Sequence, residues 1–111
     1  GKQIPRIAKP TAVGVDEVFE EKSYHVRYLD IDANKHVNNS KYFEWMQDVL
    51  SPNFLSTHEI TYLNLKYEAE VRLGHMVQSQ VVLQDNFSKH RIMVDDVVNA
   101  EAEFKWRHTT I

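Results

Sequence analysis

Apolar residues recur along this chain with two different periods, and the change from one to the other divides it. Around Ser23–Tyr28 the residues alternate, with Tyr24, Val26 and Tyr28 on one side, which predicts a strand. Tyr42, Trp45, Met46 and Val49 then recur at i, i+3, i+4 and i+7, with Phe43 and Leu50 widening the stripe. Lys41, Glu44, Gln47 and Asp48 take the opposite side, so this stretch predicts an amphipathic helix. Asn38 or Asn39 suits its N-cap, and Ser51-Pro52-Asn53 suits its end. Beyond it the period returns to two. Strands are predicted over 58–71, with Ile60, Tyr62 and Leu65 as apolar anchors, then from Val77 to Leu83, over 90–96 and over 99–108. In the last of these, Ala100, Ala102, Phe104 and Trp106 alternate with Glu101, Glu103, Lys105 and Arg107. Leu73-Gly74-His75 and the stretch from Asp85 to Lys89 are the predicted connections.

One helix carrying the bulkiest apolar stripe, followed by long antiparallel strands, predicts an α+β domain. Its expected form is a hotdog fold: a long central helix wrapped by a curved antiparallel sheet of about five strands. Residues 1–20 lack periodicity and hold Pro5 and Pro10, so they read as a linker or extended arm, with a single domain over 21–111. A chain that starts inside such an arm is expected to be a piece of something longer.

Composition narrows the function. The formal net charge of −3 has the wrong sign for nucleic-acid binding, so no nucleic-acid partner is expected. No apolar run approaches the length of a membrane span. Cysteine is absent, which removes disulfides, thiolate nucleophiles and cysteine metal sites, and suits a reducing compartment. His25, His58, His75, His90 and His108 are scattered without metal-ligand spacing and read as structural.

Chemistry concentrates between Asp30 and Asn39, where two Asp, three Asn and one His precede the helix. Asp32, Asn34 and His36 alternate just before its N-terminus. A carboxylate or imidazole there can activate water, an amide can orient water or a carbonyl, and the unpaired N–H groups of the first helical turn can hold a developing oxyanion. The same residue types also build turns and caps, the favoured reading for Asp30, Asn38 and Asn39.

The run Asp-x-Asn-x-His-Val-Asn-Asn-x-x-Tyr-x-x-Trp, Asp32 to Trp45, resembles the acyl-acyl-carrier-protein (acyl-ACP) thioesterases, and the likeness extends from Ile4 to about Trp106. The resemblance implies catalytic roles for Asp32, Asn34 and His36. It adds a carboxylate from the strand after the helix, in a Tyr-x-x-Glu pattern that Tyr67 and Glu70 match. It further implies substrate contacts from Val37, Asn38, Asn39, Tyr42 and Trp45. Val71 stands where plant members carry a cysteine, so water must be the nucleophile.

Members of that family hold two hotdog halves, and the motif belongs to the C-terminal one. The implied activity is hydrolysis of fatty acyl-ACP to free fatty acid, without cofactor or metal, in the cytoplasm or, in a plant, the plastid stroma. The implied partners are an acyl carrier protein and either the missing N-terminal hotdog half or a second copy joined through sheet edges. Lys35, Lys41, Lys2, Arg6 and Lys9 are dispersed cations that could meet an acidic carrier. The alternatives are an acyl-CoA thioesterase of the single-hotdog type and a non-catalytic acyl-binding or assembly domain.

Overall fold

The fold is taken from a computed structural model that describes residues 17–109; of the arm expected over 1–20, residues 1–16 lie outside the described residues and Glu20 already belongs to the first strand. The elements run β1 (Glu20–His25), a 3-10 turn (Tyr28–Asp30), α1 (Asn39–Asp48), α2 (Pro52–Thr57), β2 (His58–Tyr67), β3 (Met76–Gln84), β4 (Phe87–Val94) and β5 (Val97–His108). The five strands form one antiparallel sheet in the order β1-β3-β4-β5-β2. The helical stripe lies against it, as the hotdog reading expects. Trp45 and Met46 are buried, Ser79 of β3 donates its hydroxyl to the Trp45 carbonyl (2.9 Å), and Phe43 packs on Phe104 of β5 (5.6 Å between centroids). The inward side chains of β5, Ala100, Ala102, Phe104 and Trp106, are buried as their alternation predicts.

Four local features differ from the sequence pattern. The first strand stops at His25, and Tyr28 is exposed in the 3-10 turn. There the Arg27 N–H bonds the Asp30 carboxylate (2.9 Å), which draws the chain away from the sheet. Ser51-Pro52-Asn53 ends one helix and starts another: the Ser51 hydroxyl accepts the Phe54 N–H (3.1 Å) and proline occupies the first turn of α2, where its missing N–H costs nothing. In β2 the register shifts between Ile60 and Tyr62, inserting Thr61. Tyr62 is thereby carried to the outer face opposite Lys105, and Leu63, Leu65 and Tyr67 take the inner face opposite Phe104, Ala102 and Ala100. Finally, β4 ends at Val94, because Asp95 and Asp96 (φ 49° and 65°) form a two-residue hairpin turn in the left-handed region that aspartate tolerates.

The core contains one hydrogen-bonded polar chain. The Trp106 indole donates to the Ser88 hydroxyl (2.8 Å), and the same oxygen shares a hydrogen bond with Nε2 of His90 (2.7 Å). The imidazole is fully buried, and this burial lowers its pKa to about 3 against a weaker opposing contribution from the Met46 main chain. A second buried charge fixes the loop before α1. Asp30 accepts from the Arg27 N–H and meets the Lys41 ammonium (3.3 Å) and the Arg27 guanidinium (3.4 Å). Burial pushes its carboxyl up, but these three donors together hold it below the ordinary carboxylate range.

Both groups predict pH and mutational behaviour. An unfolded histidine protonates near pH 6.5, whereas His90 in the fold resists protonation until about pH 3. Stability is therefore fullest above pH 6.5 and falls as pH drops below it, by about 2 kcal/mol between pH 6.5 and 5. Urea unfolding of the parent and of His90→Gln at both pH values should show this acid loss in the parent and its absence in the variant. Asp30→Asn should cost about 2 kcal/mol at neutral pH, because the Lys41 ammonium loses its buried counter-charge; an unchanged urea midpoint would contradict that role.

Candidate functional site

The loop between the 3-10 turn and α1 is a short closed hairpin. Ile31 and Val37 pair across it, the Asp32 N–H bonds the His36 carbonyl (2.8 Å), and the Lys35 N–H bonds the Asp32 carbonyl (3.0 Å), with Lys35 at φ 63°. The Asp32 carboxylate completes it from inside, since its Oδ1 accepts the N–H groups of Asn34 (2.9 Å) and His36 (3.1 Å). Asp32 thus sets the backbone from which His36 projects. Asn38 is the N-cap: its side-chain oxygen accepts the Ser40 N–H (3.2 Å), and Asn39 is the first residue of α1.

On the far side, β2 releases its chain at Tyr67, short of the expected end at residue 71. The Glu68 and Ala69 N–H groups both bond the Asn99 carbonyl of β5 (2.8 and 3.1 Å). Next in line, the Val71 N–H bonds the Tyr42 hydroxyl of α1 (3.2 Å). Burial raises the Tyr42 pKa, against the Val71 N–H, so this hydroxyl keeps its proton and still has one bond to donate. Between these ties sits Glu70. Its Oε1 lies 3.1 Å from Nε2 of His36 and its Oε2 lies 3.6 Å from the Arg72 guanidinium.

These two segments form the walls of one open cleft of about 270 Å³, lined by His36, Val37, Asn39, Tyr42, residues 67–69, Glu70 and Val71. Val37, Tyr42 and Val71 are buried and give it an apolar floor, while His36 and Glu70 stand half-exposed at its mouth. Of the residues singled out in the sequence, the structure brings together His36, Glu70, Val37, Asn39 and Tyr42. Asp32 and Asn34 are exposed in the hairpin and are not among the lining residues. Trp45 is buried in the core, stacked on Tyr24 (6.2 Å), and Asn38 caps the helix; neither lines the cleft. Lys41 is occupied by Asp30 and Glu44 (3.2 Å), which leaves Lys35 the more available cation of the two. Asn99 and Arg72, both in contact with the Glu70 segment, carry no motif in the sequence; they are found only once the fold closes.

The comparisons with known proteins agree with this geometry. Residues 14–108 match the family of acyl-ACP thioesterase C-terminal domains. A palmitoyl-acyl carrier protein thioesterase of Cuphea hookeriana is 33% identical over 78 residues, which is 70% of this chain and 18% of that protein. Among solved structures, a candidate oleoyl thioesterase of Lactobacillus plantarum superposes with a TM-score of 0.89 at 34% identity, over 99% of this chain and 45% of the other. The 12:0-ACP thioesterase of Umbellularia californica shares the fold at a TM-score of 0.84 and 22% identity, over 93% of this chain and 40% of its own. The chain spans about a fifth of the length of the curated relatives it matches. It has the hotdog fold and belongs to the acyl-ACP thioesterase C-terminal domain family.

Proposed function

We propose that the protein carrying this domain hydrolyses fatty acyl thioesters of an acyl carrier protein, and that this domain supplies its catalytic groups. The observation that carries the reading is the contact of His36 with Glu70 at the mouth of a cleft with an apolar floor. An imidazole held by a carboxylate is a general base of suitable strength, and no cysteine is present to act as a nucleophile. Water then adds to the thioester carbonyl carbon, losing its proton to the His36–Glu70 pair. The carbonyl oxygen becomes an oxyanion; the Asn38 N–H is taken by the Asp30 carbonyl (3.0 Å), so of the N–H groups near Val37 to Asn39 it is that of Asn39, at the start of α1 and beside the cleft, that would polarise it. As the tetrahedral species collapses, the C–S bond breaks, and the proton returns to the departing thiolate. The products are a fatty acid and the carrier thiol. Asp32 holds the His36 backbone through Oδ1, whereas Asn34, expected to orient water or the carbonyl, stands exposed in the hairpin outside the cleft and takes no part in this scheme. Tyr42 contacts the acyl end of the substrate.

We also place the missing covering unit at the edge of β2. Leu63 and Tyr67 lie on the inner face of this edge strand yet are each 45% exposed, an apolar surface for which the described residues offer no cover. Either the N-terminal hotdog half or a second copy of this domain would pair there. The reducing compartment suggested by a chain without cysteine is the cytoplasm, or the plastid stroma in a plant.

Two measurements test these readings. His36→Ala and Glu70→Gln in the full-length protein should each lower acyl-ACP hydrolysis by about 10²-fold or more, with acyl-CoA of equal chain length cleaved less efficiently. Wild-type rates in both variants would remove the assignment, and preference for the CoA ester would change the carrier. The isolated domain should self-associate in light scattering, and Leu63→Glu should return it to monomer; a parent that stays monomeric at high concentration would refute pairing at β2.

A further inference from the structure

We infer that Asn99 is a positioning residue for the reaction, setting the reach of the Glu70 carboxylate onto His36; this rests on the thioesterase reading above. The register of β4 against β5 runs Ile92 to Ala100 and then Met93 to Val98, so Asn99 is the extra residue of a β-bulge. A bulge leaves one residue out of the ladder and re-aims its side chain. At the same place β2 leaves the sheet, its last pair being Tyr67 with Ala100. Asn99 joins these two irregularities. Its carbonyl accepts both the Glu68 and Ala69 N–H groups, and its Nδ2 donates to the carbonyls of Ala69 (3.4 Å) and Glu70 (3.1 Å). Four hydrogen bonds from one residue therefore hold the three residues that end in Glu70.

Stability alone does not account for this side chain. Asn99 is only 4% exposed, and its Oδ1 finds no hydrogen-bond donor among the described residues. A buried amide with an unpaired oxygen carries a desolvation cost that an apolar side chain would avoid. What an apolar residue lacks is a donor aimed at the Glu70 carbonyl. The Tyr42 hydroxyl holds the following residue, Val71, from the helix side. Glu70 is thus suspended between a sheet contact and a helix contact. Its half-exposed carboxylate would otherwise sample many rotamers, and loss of the Asn99 donor removes the tie at the Glu70 carbonyl itself while leaving those at Glu68, Ala69 and Val71.

The test compares Asn99→Ala with the parent, in the full-length protein, through kinetics and crystal structures. The expected kinetic result is a fall of about a hundredfold in kcat with little change in KM. Asn99→Ala should cost nothing further when added to Glu70→Gln. A merely structural role would lower the rate in both backgrounds, and that outcome would overturn the inference. The structures read the same point without activity: the contact between Glu70 and His36 should open beyond hydrogen-bonding distance in Asn99→Ala. An unaltered contact in a folded variant overturns the inference even if the protein proves to have another substrate. Conversely, an opened contact beside full hydrolysis would sustain the positioning role and refute the catalytic assignment of the pair. Asn99→Ser, which keeps a polar group too short to reach the Glu70 carbonyl, serves for both measurements if the alanine variant does not fold.

Discussion

Tyr42 is the joint on which the site depends. Its ring packs in the core against Trp45 (5.9 Å) and Tyr67 (5.1 Å), and its hydroxyl accepts the Val71 N–H. The first contact seats the start of α1 on the sheet. The second ties that start to the segment bearing Glu70. One buried aromatic therefore fixes both the loop that presents His36 and the strand end that presents its carboxylate. The apolar stripe of α1 supplies the driving force, since burial of side chains as large as Trp45 and Met46 exceeds any single polar contact in the site.

Three polar groups inside this core serve orientation. Ser79 pins α1 at Trp45, Asp30 draws Lys41 and Arg27 around the loop, and Ser88 bridges Trp106 and His90. Each is costly to bury and is kept cheap by partners. They lie beneath or beside the helix, so the cost is incurred where a slip of α1 along the sheet would move the cleft. An all-apolar interface would bind the helix as tightly but would specify its position less.

Most of the fold was legible because burial imposes a period. The stripe of α1 and the alternation of β5 could be assigned from spacing alone, and the loop was conspicuous for its density of amides and acids. The failures share a physical origin: each lies where one side chain redirects the backbone. Asp30 ends the extended run before Tyr28, Thr61 inverts the faces of β2, and Ser51 starts a second helix at the proline that the pattern reads only as a stop. Periodicity does not register a single inserted residue or a single cap. The site divides the same way. His36 and Glu70 stand out by type and motif, whereas Asn99 meets the Glu70 segment through a bulge that has no spacing of its own. The resemblance implies substrate contacts from both Tyr42 and Trp45, but three residues along α1 separate them, and Trp45 lies in the core while Tyr42 lines the cleft.

The exposure of the pair bears on how the site works. His36 and Glu70 are each more than half exposed in side-chain area. At that exposure an ion pair contributes little, because water screens it and competes for its hydrogen bonds. General base catalysis and oxyanion stabilisation both strengthen when water is displaced. On the proposed reading the reaction would gain from a cover over the cleft, and the exposed edge of β2 lies beside it. Tyr67 lines the cleft and also forms part of the bare inner face of β2 together with Leu63. A unit docked on that edge would bury the apolar strand and lower the dielectric around His36 and Glu70 in a single step. Under the proposed reading, assembly and catalytic competence would be coupled through Tyr67, because the unit that covers the apolar edge would also dry the cleft.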